Sequence, residues 1–331
     1  MPIKVLLSNR KNNNGGPGIF RKRLINSLNK IEDIEIVTDE KNKFDIGLEF
    51  IQKNLDYKKP YILRASSCYY HYKYKLWNNK PIFKSIKKSS HTIFQSKFAY
   101  KLCDRVLSLE SRGAVKSGYS IIYNGLDLDY INGIKPASDI YPGSFVSCAR
   151  WDSNKRPLSM IKGFLEADTG RHLYIIGGEG VAIWGRALGK KYKKNKYIHF
   201  LGEMDNEYTI SLMKACDYQL HLAFIDICPN SVLEGMASGL NVLCTNLGGT
   251  PEIVGNNGVI LDVDKFWNSK YLRYTDDMEH IKRKHLDEID TSIIADGIHR
   301  LLKNKSKPEM SKFNIDDVSK KYAKIIRKVV K

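Results

Sequence analysis

The sequence predicts an α/β fold of two open parallel sheets, each covered by helices, and three observations predict it. Short apolar runs of strand length alternate with helical stretches along most of the chain. The alternation is interrupted once, from Asn124 to Gly143, by NGLDLDYINGIKPASDIYPG, a stretch rich in Gly, Pro, Asp and Asn as a linker is. It then restarts, and 331 residues with 42% hydrophobic content suffice for two packed domains. The expected division is residues 1–140, 141–312 and a C-terminal helix over 313–331.

In chain order, Ile3 to Ser8 reads as a strand, followed by a polar loop ending in Gly15-Gly16-Pro17-Gly18. A basic amphipathic helix is expected from about Ile19, with Phe20, Leu24, Ile25 and Leu28 on one face. YILRAS, HTIFQS, RVLSL and SIIYNG read as further strands of the first half. After the linker, SFVSCAR, RHLYIIGG, KYIHFLG, YQLHLA and NVLCTN read as strands, with PLSMIKGFLEA, EYTISLMKAC and SVLEGMASG as helices between them. The segment IDDVSKKYAKIIRKVVK is amphipathic, with Val318, Tyr322, Ile325, Ile326 and Val329 on one face. That face suits either a membrane surface or packing back on a domain, the first-half domain being the candidate.

Composition narrows the function. No apolar run is long enough to span a bilayer, and the first residues lack a signal peptide's apolar segment, so a cytoplasmic protein is expected, with peripheral membrane contact as a further option. The six cysteines are scattered without metal-ligand spacing, so neither a disulfide framework nor a metal site is expected. Lys and Arg number 54 against 36 acids, a net +18. Such a charge fits polyanionic partners, an anionic membrane surface or nucleic acid among them, and equally a codon bias toward Lys, Asn and Ile.

Ligands of open α/β sheets bind beyond the carboxyl ends of the strands, and four segments fall there. In the glycine loop, Gly15 and Gly16 let backbone approach a ligand and lead into a helix N-terminus suited to an anion. SCARWDSNKRP brings Arg150, Lys155 and Arg156 to one loop, a set that grips phosphate or remains a solvated basic turn. IIGGEG places Gly177, Gly178 and Gly180 after a strand; it departs from the dinucleotide fingerprint, so no nicotinamide cofactor is expected. FIDICPNSVLEGMASG carries Asp226 and Glu234 on either side of a helix start marked by Pro229, Asn230 and Ser231. Ser231 precedes Glu234 by three, which predicts a capping box and gives Glu234 a purely structural alternative. Asp226, at a strand end, has no such alternative, and a diphosphate at the helix N-terminus would be stabilised between the two acids.

FIDICPNSVLEGMASG with NLGGTPEIVG resembles the signature of retaining glycosyltransferases of family 4, which have the GT-B fold of two Rossmann-like domains facing a cleft. Two glutamates with seven residues between them flank the helix start in that family; here Asp226 stands for the first and Glu234 is the second. Asn241 also replaces a common proline. SFVSCARWDSNKRP is similar to the family's diphosphate site, which maps onto Arg150 and Lys155. IFQSKFAYKL and YSIIYNGLDLDYI resemble its first-half segments, and the likeness runs from about residue 15 to 255. Asp127-Leu-Asp129 and Asp262-Val-Asp264 look like another fold's metal motif, but their positions argue against a metal.

The resemblance implies a nucleotide-sugar donor, UDP rather than GDP, and a glycan or lipid-linked acceptor, with neither metal nor other cofactor. Arg150, Lys155 and the helix N-terminus would hold the diphosphate, with Gly15, Gly16 and Gly178 lining the donor. Glu234 would bind ribose hydroxyls and Asp226 those of the sugar. The acceptor would meet LRASSCYYHYKYKLW, where Arg64 and His71 lie just beyond a strand. Two other functions fit less of the sequence: a glucosyltransferase of modified DNA, which the charge suggests, and a non-catalytic nucleotide-sugar binder, which only the Asp226 departure suggests.

Overall fold

A computed structural model of the chain describes residues 1–7, 16–53, 55–70, 72–178, 188–263 and 289–331. The chain forms two compact units, one holding Met1–Asp127 and Ser311–Lys331, the other running from Leu128 to Met310 in its described parts. The division falls inside the glycine- and proline-rich stretch, of which Leu128–Gly133 forms a short helix.

The first unit is a six-stranded sheet of β1 (Ile3–Leu6), β2 (Ile34–Val37), β3 (Ile46–Phe50), β4 (Tyr61–Ala65), β5 (His91–Phe94) and β6 (Tyr119–Ile121), ordered β2-β1-β3-β4-β5-β6. Every pairing is parallel. The central strands are therefore covered on both faces, and Tyr61–Ala65 and His91–Phe94 are each buried throughout, Arg64, His91 and Thr92 included. The first helix runs over Gly16–Leu28 and starts earlier than Ile19. Pro17 sits in its first turn, where a missing N–H costs nothing. The helix over Ile315–Val330 lays Val318, Tyr322, Ile325 and Ile326 into the core beside Phe20, Leu24 and Ile46. Its apolar face is thus spent on this unit, and Arg327 adds a bidentate pair to Asp33 at 2.5 and 2.6 Å.

The second unit repeats the architecture with β7 (Phe145–Cys148), β8 (Leu173–Ile176), β9 (Ile198–Gly202), β10 (Tyr218–His221), β11 (Asn241–Thr245) and β12 (Gly258–Leu261). Its order is β12-β11-β10-β7-β8-β9, all parallel. The helix over Pro157–Glu166 packs against Thr291–Lys303 through Ile161, Phe164, Ile294 and Ile298. The helix over Asn206–Ala215 places Leu212 and Met213 against Val146, Tyr174 and Ile176. Among the described residues no helix is long and apolar enough to cross a membrane.

Candidate functional site

In the second sheet β7 and β10 lie side by side at the centre, yet β7 leads on toward β8 on one side and β10 toward β11 on the other. Connections that diverge from neighbouring strands leave a crevice between them, the usual ligand position in such sheets. The connection after β7 enters a short 3-10 turn at Ser153–Lys155, and Arg156, at φ 51°, redirects the chain into the helix beginning at Pro157. The connection after β10 carries Asp226 and then the helix Asn230–Ala237.

Asn154 staples the two connections together. Its carbonyl accepts the Phe224 N–H at 2.7 Å, its Nδ2 donates to the Ile225 carbonyl at 2.9 Å, and its Oδ1 accepts the Ile225 N–H at 3.2 Å. The next residue on each side then meets: Lys155 Nζ donates to Asp226 Oδ2 at 2.5 Å, with side chains 18% and 22% exposed. Asp226 is fixed from behind as well. Its Oδ1 accepts the Ile227 N–H at 3.0 Å and its carbonyl accepts the Gly249 N–H at 2.7 Å. Gly248, at φ +97°, permits this approach, because a Cβ there would lie 2.5 Å from the Asp226 carbonyl oxygen.

His221 is the third charged-type group here, with Nε2 3.4 Å from the same Asp226 Oδ2. Burial works to raise the Asp226 pKa, but the Lys155 ammonium and then His221 outweigh it and hold the carboxyl well below the usual carboxylate range. Burial lowers the His221 pKa, with Lys155 adding to that and Asp226 opposing, so the ring is neutral at neutral pH. Burial, followed by the charge of Glu234, pushes the Cys148 thiol up to about 12.

Glu234 is 5% exposed and accepts a hydrogen bond from Asn206 Nδ2 at 3.3 Å. The expected capping box is not formed. Pro229 occupies the N-cap, no side chain caps the helix, and Ser231 lies one turn position inside it, its carbonyl accepting from Gln219 Nε2 at 3.0 Å. A proline that fixes the entry angle displaces the cap one residue ahead of Asn230, leaving Ser231 too late to serve. Pro229 therefore offers no side-chain cap to the helix start, and the Glu234 carboxylate accepts from Asn206 on a neighbouring helix.

Lys155, Asp226, Glu234, Pro229, Asn230 and Ser231 thus gather at one end of the second sheet. Arg150 sits on the same connection as Lys155, exposed and without hydrogen bond or ion pair among the described residues. Gly178 is tied to that connection, its carbonyl accepting the Trp151 N–H at 3.2 Å. Its neighbour Gly177, at φ +125°, lies where a Cβ would meet the Ala149 carbonyl at 1.8 Å. An open groove of about 840 Å³ between Tyr130 and Tyr208 contains none of these residues.

The first unit holds the remaining expected residues. Gly16 opens its first helix, while Gly15 and His71 lie outside the described residues. The acceptor contact expected of Arg64 is corrected by its burial. The side chain is 0% exposed, and its guanidinium donates to Ser66 Oγ at 2.8 Å, Gln95 Oε1 at 2.5 Å and Asn124 Oδ1, over the faces of Phe20 and Phe50. It ties together the carboxyl ends of β4, β5 and β6. His91 bonds Ser120 Oγ through Nε2 at 2.9 Å, a link between neighbouring strands. Reasoning from sequence missed His221, Asn154 and Asn206. The alternation in YQLH signals the first, by ending a buried strand on a polar side chain; the other two carry no local signal.

Residues 144–269 match the family model described as Glycosyl transferases group 1. No curated protein matches the sequence. Among solved structures, the fold is similar to that of HepE from Anabaena in complex with UDP, at 14% identity and a TM-score of 0.64, covering 99% of this chain and 100% of that one. It is similar also to sucrose-phosphate synthase from Thermosynechococcus elongatus, at 13% identity and a TM-score of 0.59, covering 99% and 98%. WaaG, a glycosyltransferase involved in lipopolysaccharide biosynthesis, matches at 14% identity and a TM-score of 0.54, covering 98% and 99%. At such identities the likeness is one of fold, and the fold is GT-B: two Rossmann-like domains, each with a six-stranded parallel sheet.

Proposed function

We propose that the protein is a glycosyltransferase that moves a hexose from a nucleoside-diphosphate sugar to a glycan or lipid-linked acceptor, with retention at the anomeric carbon and no metal. The observation that carries this reading is the meeting of Lys155, Asp226, buried Glu234 and an uncapped helix N-terminus at the crevice between β7 and β10. The match of residues 144–269 to the glycosyltransferase group supports it independently. UDP is preferred over GDP because HepE, of similar fold, is seen with UDP and with UDP-glucose.

In this reading the donor diphosphate lies against the N–H groups at Asn230 and Ser231, with Lys155 and Arg150 on its flank. Negative charge grows on the β-phosphate as the glycosidic bond breaks, and these groups are already in place to receive it. Lys155 exchanges a carboxylate for a phosphate, which its flexible stem permits. Glu234 accepts hydrogen bonds from the ribose hydroxyls, and Asp226 from those of the hexose. With retention, the acceptor attacks on the face the diphosphate leaves, and the β-phosphate takes the acceptor proton. No protein base is required. A panel of UDP-, GDP- and ADP-sugars, with and without EDTA, tests the proposal by thermal shift and donor hydrolysis. One sugar nucleotide should stabilise the protein and be hydrolysed slowly with EDTA present. Hydrolysis abolished by EDTA would remove the metal-free mechanism, and no response to any donor would remove the function.

A further inference from the structure

Asp226 Oδ2 faces two nitrogen donors but hydrogen-bonds only one. Lys155 Nζ is at 2.5 Å, while His221 Nε2, 3.4 Å away, is buried without a hydrogen-bond partner. The His221 side chain is 4% exposed at the end of β10, so solvent does not serve that nitrogen either. A buried ring nitrogen left idle beside a carboxylate calls for an account.

Taking the donor site proposed above as its basis, the geometry points to His221 as a positioning residue that takes over Asp226 Oδ2 when Lys155 turns to the donor diphosphate. Lysine can move and Asp226 cannot. The ammonium rides on a four-carbon stem, whereas Asp226 is held at Oδ1 by the Ile227 N–H and at its carbonyl by the Gly249 N–H. Once Lys155 leaves, a carboxylate in a mostly buried position keeps only its Oδ1 bond, and His221 Nε2 is the nearest donor able to serve Oδ2. The hexose then meets a carboxylate whose orientation survives the loss of its lysine.

The handover moves a proton. The titratable groups facing His221 are Asp226 beyond its own strand, Lys155 from the connection after β7, Cys244 paired with it on β11, and Cys148 at the end of β7 near Glu234. Burial pushes both thiols up to about 12, so they stay neutral and do not compete. Burial and the Lys155 charge keep the ring neutral in the free protein. Departure of Lys155 removes one of those influences and leaves Asp226 facing the ring, which raises the ring's proton affinity and favours uptake of one proton as the donor binds. Donor binding is therefore coupled to proton uptake.

Calorimetry with UDP-glucose and with GDP-mannose, in buffers of differing ionisation enthalpy between pH 5.5 and 7.5, reads this directly. Their diphosphate diesters do not titrate in that range. The wild type should take up a fraction of one proton, with affinity strengthening by as much as about tenfold per unit fall in pH. His221→Gln, whose amide nitrogen takes the place of Nε2 and keeps an N–H for Asp226 but cannot titrate, should bind donor with no proton uptake. His221→Leu, which offers no donor, should lower kcat more than it raises KM, and His221→Gln should restore kcat at pH 8. Donor binding without proton uptake in the wild type, or uptake persisting in His221→Gln, would overturn the handover and leave the donor site standing. Failure of both nucleotide sugars, and of every other donor in the panel, to bind would remove the donor site, and the handover with it.

Discussion

Two cations sit at the carboxyl ends of central strands in this molecule, Arg64 in the first unit and Lys155 in the second, and their surroundings differ in kind. Arg64 is enclosed, and its hydrogen bonds end on neutral oxygens of Ser66, Gln95 and Asn124. Lys155 is partly exposed and faces a carboxylate. A planar guanidinium with fixed donors is well suited to knitting strand ends together; a single ammonium on a flexible stem is suited to changing partners. The contrast teaches that position at a strand end does not make a cation functional. What matters is whether its present partner can be exchanged for a ligand.

Removing the exchangeable cations should have the largest effect. Arg150→Ala with Lys155→Ala is expected to lower turnover by more than about a thousandfold, as loss of two groups that stabilise developing charge should. Normal rates in the double variant would end the diphosphate assignment. The reciprocal pair sharpens the comparison: Arg64→Ala strands Gln95 and Asn124 and should cost about 2–5 kcal/mol in urea denaturation. Lys155→Ala leaves a mostly buried carboxylate without its ammonium and should cost about 3 kcal/mol of stability, but unlike Arg64→Ala it should cut turnover as well. If Arg64→Ala folded with full stability, the enclosed cluster would lose its structural role. Glu234→Gln is a smaller test, expected to weaken nucleotide binding about tenfold, the size of one charge-assisted hydrogen bond. Unchanged affinity in a titration with UDP would leave Glu234 with a structural role, its bond to Asn206 included.

The smallest effect concerns acid. The Asp226 pKa is held down in the folded protein, so its ion pair contributes stability above the unfolded aspartate value of about 3.9 and loses it as pH falls through the folded value. The stability difference between wild type and Asp226→Asn should therefore be constant above about pH 5 and shrink below pH 4. A difference unchanged down to pH 2 would mean the Lys155 pairing adds nothing.

Much of the fold was legible because a parallel sheet buries both faces of each strand, and runs such as YILRA and NVLCT have no other comfortable location. The charged centre was legible in part. Lys155 and Asp226 each stand just past a strand, so strand ends alone brought them forward. Ser231 was misread because a capping box is a local pattern, whereas Pro229 had already set where the helix begins. Arg64 was misread because burial depends on Gln95 and Asn124, which arrive from two other strands. Asn154 and His221 depend on β7 lying beside β10, an adjacency that skips two strands and that no nearby residue announces.

The helix of Ile315–Val330 has a consequence for synthesis. Tyr322 and Ile326 share a core with Phe20 and Leu24, yet the ribosome delivers them only after the entire second unit. The usual order, with the earlier domain finished first, is therefore inverted. The nascent first sheet must wait with an apolar strip uncovered while the later sheet closes, and a chaperone's most natural client in this chain is the half that is made first.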